Sequence, residues 1–151
     1  MKKTSAILCT IFFIIIIVPN CSDALCVKVP KANLRSGPGT NYGIVWEVYK
    51  YMPFKKVGVS LSGDWYAVRD VDGDVNWMYK KLVTDKYRCA VVKTEEVNVR
   101  RGPGKNYPKS SLSPAVQYDS FKILQIKGTW VKVEDEWHNI GWIHRNFLWI
   151  E

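Results

Sequence analysis

From Leu25 onward, apolar and polar residues alternate over short runs, and Gly, Pro, Asn or Asp interrupts them about every ten residues. A period of two belongs to a half-buried strand, and no stretch holds a 3.6-residue period long enough for a long helix. The pattern predicts strands near 27–29, 32–35, 45–48, 56–60, 65–69 and 75–78. It predicts a second set near 91–93, 97–100, 122–126, 130–133 and 140–143. Asp70-Val71-Asp72-Gly73-Asp74 reads as the hairpin turn between the last two strands of the first set, with Gly73 free to take a positive φ. Short strands at this spacing make a small all-β barrel or sandwich.

The second set reproduces the first. Asn33-Leu34-Arg35-Ser36-Gly37-Pro38-Gly39-Thr40-Asn41-Tyr42 returns 65 residues later as Asn98-Val99-Arg100-Arg101-Gly102-Pro103-Gly104-Lys105-Asn106-Tyr107. The same offset matches Gly63 with Gly128, Trp65 with Trp130, Val68 with Val133, Asp70 with Asp135 and Trp77 with Trp142. A fixed offset of this kind marks two copies of one unit. The expected division is a targeting segment over 1–24, one barrel over 25–84 and a second over 88–151. The linker Thr84-Asp85-Lys86-Tyr87-Arg88 is too short to let them tumble independently. The copies differ in the middle: 110–115 is polar and carries Pro114, where the first copy has Val45-Trp46-Glu47-Val48-Tyr49.

Strand parity assigns faces. In Trp130-Val131-Lys132-Val133 the valines share the core face, so Trp130 stands on the other with Lys132. Likewise Tyr66 and Val68 point one way, and Trp65, Ala67 and Arg69 the other. An indole off the core lines a groove, packs under a loop or sits between the two units. Trp77 and Trp142 follow the hairpins and are expected to close the cores.

Four features together resemble the bacterial SH3-like (SH3b) family. They are Asn-Leu/Val-Arg-x-Gly-Pro-Gly-x-Asn-Tyr, the segment Tyr51-Met52-Pro53-Phe54, Gly-x-Trp-x-x-Val-x-Asp-x-x-Gly, and Trp-x-x-x-x-Leu/Phe. The second copy departs by lacking a Tyr-Met-Pro-Phe segment and by carrying His138 where the first has Gly73. The resemblance spans nearly all of the chain after residue 24. It implies a five-stranded, partly open barrel in each copy, an exported setting, and non-catalytic binding, often of peptidoglycan or its peptides.

The N-terminus points to the same compartment. Lys2 and Lys3 precede an uncharged apolar run over 6–18, Pro19 breaks it, and Ser22-Asp23-Ala24 supplies small residues for a cleavage site. That run is shorter than the ~20 residues of a membrane-spanning helix, so a signal peptide cut after Ala24 is expected, with no stable membrane insertion afterwards. Lipidation at Cys21 is the rival, weakened by Asn20 where a lipobox wants a small residue. Cleavage removes two lysines and one aspartate, taking the formal charge from +8 to +7. A basic exported chain is drawn to anionic envelope surfaces, and nucleic acid is excluded as a partner. Cys26 and Cys89 each open a strand-like run just upstream of a repeat. In an oxidising compartment they are a disulfide pair, or else two buried small hydrophobes.

No catalytic constellation is expected. Neither cysteine precedes a helix, and the histidines, His138 and His144, both lie in the second copy without thiol or carboxylate ligands spaced for a metal. Asp70 and Asp135 read as turn residues that cap backbone amides. No cofactor is implied. The expected ligand site is an aromatic groove on each barrel: Trp65 and Trp130 as floors, Tyr42 and Tyr107 as one wall, Tyr79 and His144 opposite. Arg35 and Arg100, beside the Gly-Pro-Gly turns, either clamp a ligand carboxylate or pair with a nearby Asp to hold the loop. Two function classes follow. One is an envelope module, periplasmic or wall-associated, that recognises peptidoglycan or an envelope protein's peptide. The other is a structural or accessory protein that docks onto a larger envelope protein or wall enzyme without binding wall itself.

Overall fold

A computed structural model describes residues 23–151. Cys21 and nearly all of the expected targeting segment lie outside the described residues. The first unit comprises β1 (Ala24–Val27), β2 (Lys31–Arg35), β3 (Ile44–Tyr49), β4 (Pro53–Val59), β5 (Trp65–Arg69), β6 (Val75–Tyr79) and β7 (Val83–Thr84), with a 3-10 turn over Lys80–Leu82. The second comprises β8 (Cys89–Val92), β9 (Glu96–Val97), β10 (Ala115–Val116), β11 (Ser120–Lys127), β12 (Trp130–Glu134), β13 (Ile140–His144) and β14 (Leu148–Ile150), with a 3-10 turn over Arg145–Phe147.

The chain is all-β. The first sheet runs β3-β2-β6-β5-β4-β1-β7, antiparallel throughout. The second runs β13-β12-β11-β8-β14, and single bridges from Arg100 to Trp142 and to Lys109 prolong it towards β9 and β10. Each unit encloses its own apolar cluster. Leu34, Val48, Phe54, Val68 and Met78 form the first with Val27. Val92, Val99, Phe121, Val131, Val133 and Ile143 form the second.

The β5–β6 and β12–β13 hairpins share a turn that the sequence encodes with one carboxylate. Asp70 Oδ1 accepts from the amides of Asp72 (3.1 Å) and Asp74 (2.9 Å). Asp135 Oδ1 accepts from those of Trp137 (2.9 Å) and Asn139 (2.8 Å). Gly73 has φ 92° and His138 has φ 67°, so both turns need a left-handed residue at this position. His138 carries that conformation with its ring bonded to Glu134 at 2.8 Å.

Two expectations are revised. Trp142 is buried as expected, at 9 % exposed, but Trp77 is only half-buried, and Met78 and Ile143, both 0 % exposed, occupy the inward positions of β6 and β13. The adjacent tryptophans therefore stand on the opposite face of their strands, outside the two core clusters. The second unit also keeps the turn thought missing from it. Tyr51 and Tyr118 both have φ 70°. Their amides donate to the carbonyls of Val27 (2.8 Å) and Val92 (2.9 Å), and Phe54 and Phe121 follow each into a core. Tyr118-Asp119-Ser120-Phe121 thus replaces Tyr51-Met52-Pro53-Phe54. It stands two residues beyond the 65-residue offset, and the shorter β11–β12 loop restores the offset by Trp130.

The units meet along a continuous seam. A disulfide joins Cys26 on β1 to Cys89 on β8, with Cα atoms 5.9 Å apart. Tyr51, 4 % exposed, packs with both cysteines and meets Tyr87 of the linker edge-on at 5.8 Å. Val91 and Trp149 of the second unit enter the first unit's cluster. Ser120 Oγ donates to the Lys50 carbonyl (2.8 Å). The Tyr118 hydroxyl donates to Asp72 (2.9 Å) while its ring stands edge-on to Trp46 at 5.3 Å.

The cross-link closes a loop with a sequence separation of 63 residues. Closing such a loop removes about 4 kcal/mol of unfolded-state entropy in the chain-entropy model. A Cys26→Ala/Cys89→Ala variant is expected to keep its β-type circular dichroism and to unfold at lower urea than the oxidised protein. Equal urea midpoints would show that the bridge adds nothing to stability.

Candidate functional site

The hairpin register places each off-core indole opposite a second ring. Trp65 pairs with Tyr79 across β5 and β6, with ring centroids 5.5 Å apart. Trp130 pairs with His144 across β12 and β13 at 5.4 Å, the rings edge-on at 89°. Both indoles are half-buried. Each forms one side of a groove completed by the strand before the Gly-Pro-Gly turn, the turn itself and the 3-10 turn.

The first groove, about 270 Å³, is lined by Lys31, Asn33, Arg35, Thr40, Trp65 and Leu82 with Ala32. The second, about 370 Å³, is lined by Glu96, Asn98, Arg100, Lys105, Trp130 and Phe147, with Val97, His144 and Asn146. All seven lining positions of the first groove have their counterpart in the second at the 65-residue offset. His144 Nδ1 also accepts from the Asn146 amide (3.3 Å), which ties the 3-10 turn to the ring beside Trp130.

The arginines hold their loops. Arg35 Nη1 donates to the carbonyls of Thr40 (3.1 Å) and Tyr42 (2.7 Å), and Arg100 Nη1 donates to that of Tyr107 (3.2 Å). Their partners are carbonyls rather than an aspartate, and both guanidinium groups still border the grooves. Tyr42 and Tyr107 are elsewhere. Each ring lies over the first glycine of its own Gly-Pro-Gly turn, so closely that a Cβ on Gly37 or Gly102 would overlap it. Packing on the turn costs these rings their expected place in the grooves, whose linings omit both. Tyr79 supports Trp65 from beside it and does not line the first groove.

Among the described residues, no three His, Cys, Asp or Glu side chains converge to hold a metal ion. Burial pushes the Asp70 carboxyl above the usual carboxylate range, opposed by the amide hydrogen bonds of its turn. Those bonds occupy the carboxylate in structure. Donation to Asp72 likewise raises the Tyr118 hydroxyl above the ordinary phenol value.

A family model described as a bacterial SH3 domain matches residues 28–85. The first unit is a bacterial SH3 domain. The chain is similar to the Bacillus subtilis (strain 168) protein YrvJ, provisionally named an N-acetylmuramoyl-L-alanine amidase, at 26 % identity over 136 residues. That match covers 81 % of the chain, and the chain spans about a quarter (24 %) of the relative's length. Among solved structures, NlpC2 from Trichomonas vaginalis aligns over 85 % of this chain and 48 % of its own, with 14 % identity and a TM-score of 0.38. A domain titled endolysin LysPBC5 CBD aligns over 88 % of this chain and 96 % of its own, with 18 % identity and a TM-score of 0.34.

Several lining residues were legible only in part. Asn33 and Asn98 stand within the repeated segment, and Leu82 and Phe147 end the Trp-x-x-x-x-Leu/Phe pattern of the SH3 domain and its neighbour. Offset alone would have marked them. Thr40 and Lys105 stand at the same offset inside the repeat, although they differ in type.

Proposed function

We propose that the chain is a non-catalytic binding module of the cell envelope, holding the peptide part of peptidoglycan in its two tryptophan-lined grooves. The observation that carries this reading is the position-by-position equivalence of the grooves, each built on an indole that its core does not use. The bacterial SH3 domain over 28–85 and a relative named for an N-acetylmuramoyl-L-alanine amidase support it. The second unit is read as a second copy of the same module, on the shared strand order and the shared positive-φ turns.

In each groove the indole face supplies contact area at small entropic cost. Arg35 or Arg100, already anchored to turn carbonyls, faces a peptide carboxylate with donors fixed in advance. A small open groove binds weakly alone. Two on one frame raise each other's effective concentration along a polymer. The basic charge speeds encounter with an anionic wall and adds little selectivity.

Export is part of the proposal. Leu25 is the first buried residue of β1, at 6 % exposed, so a cut after Ala24 spares the buried part of the strand. Intact-mass measurement of the envelope protein should then return a chain starting at Leu25. A mass that includes residues 1–24, or a diacylglyceryl adduct on Cys21, contradicts that processing.

Trp65→Ala/Trp130→Ala is expected to abolish co-sedimentation with purified sacculi while leaving circular dichroism unchanged. A folded double variant that still sediments would move the binding site away from the grooves. An unfolded one would make the indoles structural.

A further inference from the structure

We propose that the cleft between the two units is a second binding site, for a neutral oligosaccharide, with Trp137 as its stacking platform. It is separate from the two grooves and does not rest on their binding peptide. The cleft measures about 360 Å³, within the ~300–1,000 Å³ of small-ligand sites. Tyr49 and Lys50 of the first unit face Tyr118, Asp119, Glu136 and Trp137 of the second across it.

Trp137 is the observation that needs explaining. It is 73 % exposed, alone among the tryptophans of the described residues in standing so far out. Its place on the chain is nevertheless fixed, because its amide donates to the buried Asp135 carboxylate at 2.9 Å. The turn does not require an indole there: the first unit builds the same turn with Asp72 at the corresponding position. A large apolar ring on a pinned turn at the mouth of a cleft, at a position where the equivalent turn does without one, is placed for contact with something else.

The cleft is also set before any ligand arrives. Its floor is tied across the seam by Ser120 Oγ to the Lys50 carbonyl (2.8 Å). Its Tyr118 wall is fixed by Asp72 (2.9 Å) and by Trp46 (5.3 Å). Preset walls lower the ordering cost of binding.

The lining chemistry selects the ligand class. The Trp137 face and the Tyr49 ring offer flat apolar surface. Around them stand acceptors, the Glu136 carboxylate, the Asp119 oxygen not bonded to the Val116 amide, and the tyrosine hydroxyls, whose protons go to Asp72 and Glu47, with one donor, the Lys50 ammonium. A pyranose ring has one C–H face for stacking and a rim of hydroxyls that both donate and accept. An anionic ligand meets the two carboxylates, an amine meets Lys50, and a purely apolar one leaves all of these groups unmatched. A neutral sugar matches all of them.

The test titrates the ¹⁵N-labelled protein with tetra-N-acetylchitotetraose and follows the indole N–H resonances, that of Trp137 being the one lost in Trp137→Ala. The Trp137 resonance is expected to shift saturably. Trp137→Ala should bind about tenfold more weakly, as loss of one stacking ring implies, and Trp137→Tyr should keep most of the affinity. Trp65→Ala/Trp130→Ala should bind the sugar as the unsubstituted protein does, which separates this site from the grooves. No saturable shift at Trp137, or equal affinity in Trp137→Ala, overturns the proposal.

Discussion

The in-register pairing of β5 with β6, and of β12 with β13, is the constraint on which both grooves depend. Side chains alternate across a strand, so burying Val68 and Met78, or Val131, Val133 and Ile143, forces Trp65 and Trp130 onto the other face. A one-residue slip would exchange the faces, putting indoles into the core and valines into the groove. The aspartate-pinned turns hold the register at the hairpin end. Asp70 and Asp135 each spend a carboxylate on two backbone amides, and a left-handed residue follows in both. A turn of fixed geometry thus decides where an aromatic platform stands, some five residues away along each strand.

The seam gives the second level of order. The disulfide, the Tyr51–Tyr87 contact and the Trp46–Tyr118 contact lie along one boundary, and Trp149 crosses it into the neighbouring core. The two grooves therefore hold a fixed relation to each other, which two modules on a flexible tether would lack. They are equivalent in frame and different in charge. Lys31, paired with Glu47 at 2.8 Å, stands where the second groove has Glu96, and Thr40 stands where it has Lys105. One frame thus carries two related surfaces of different charge.

Much of the local structure was legible because a period of two is a strong signal over short strands. The positions of Trp65 and Trp130 off the core followed from parity alone. The turn roles of Asp70 and Asp135 followed from their place beside Gly73 and its counterpart. What escaped were features set by loop length and by the seam. The Tyr118 turn was hidden because two residues inserted before it broke the offset, although its positive φ and the core Phe121 match Tyr51 and Phe54. Tyr42 and Tyr107 lie at the end of a conspicuous repeat, yet they serve the turn itself, stacking on a glycine with no side chain to hold them off. Trp46 and Trp137 face the boundary between the units, where alternation within one strand says nothing about the neighbour.

The central claim, that the paired indole grooves are the peptide site, is tested most directly by a crystal structure of the protein with a soluble peptidoglycan stem peptide. The account predicts the peptide lying against Trp65 or Trp130, its carboxylate beside Arg35 or Arg100, in one groove or both. A peptide seated elsewhere, with both indoles untouched, would contradict it.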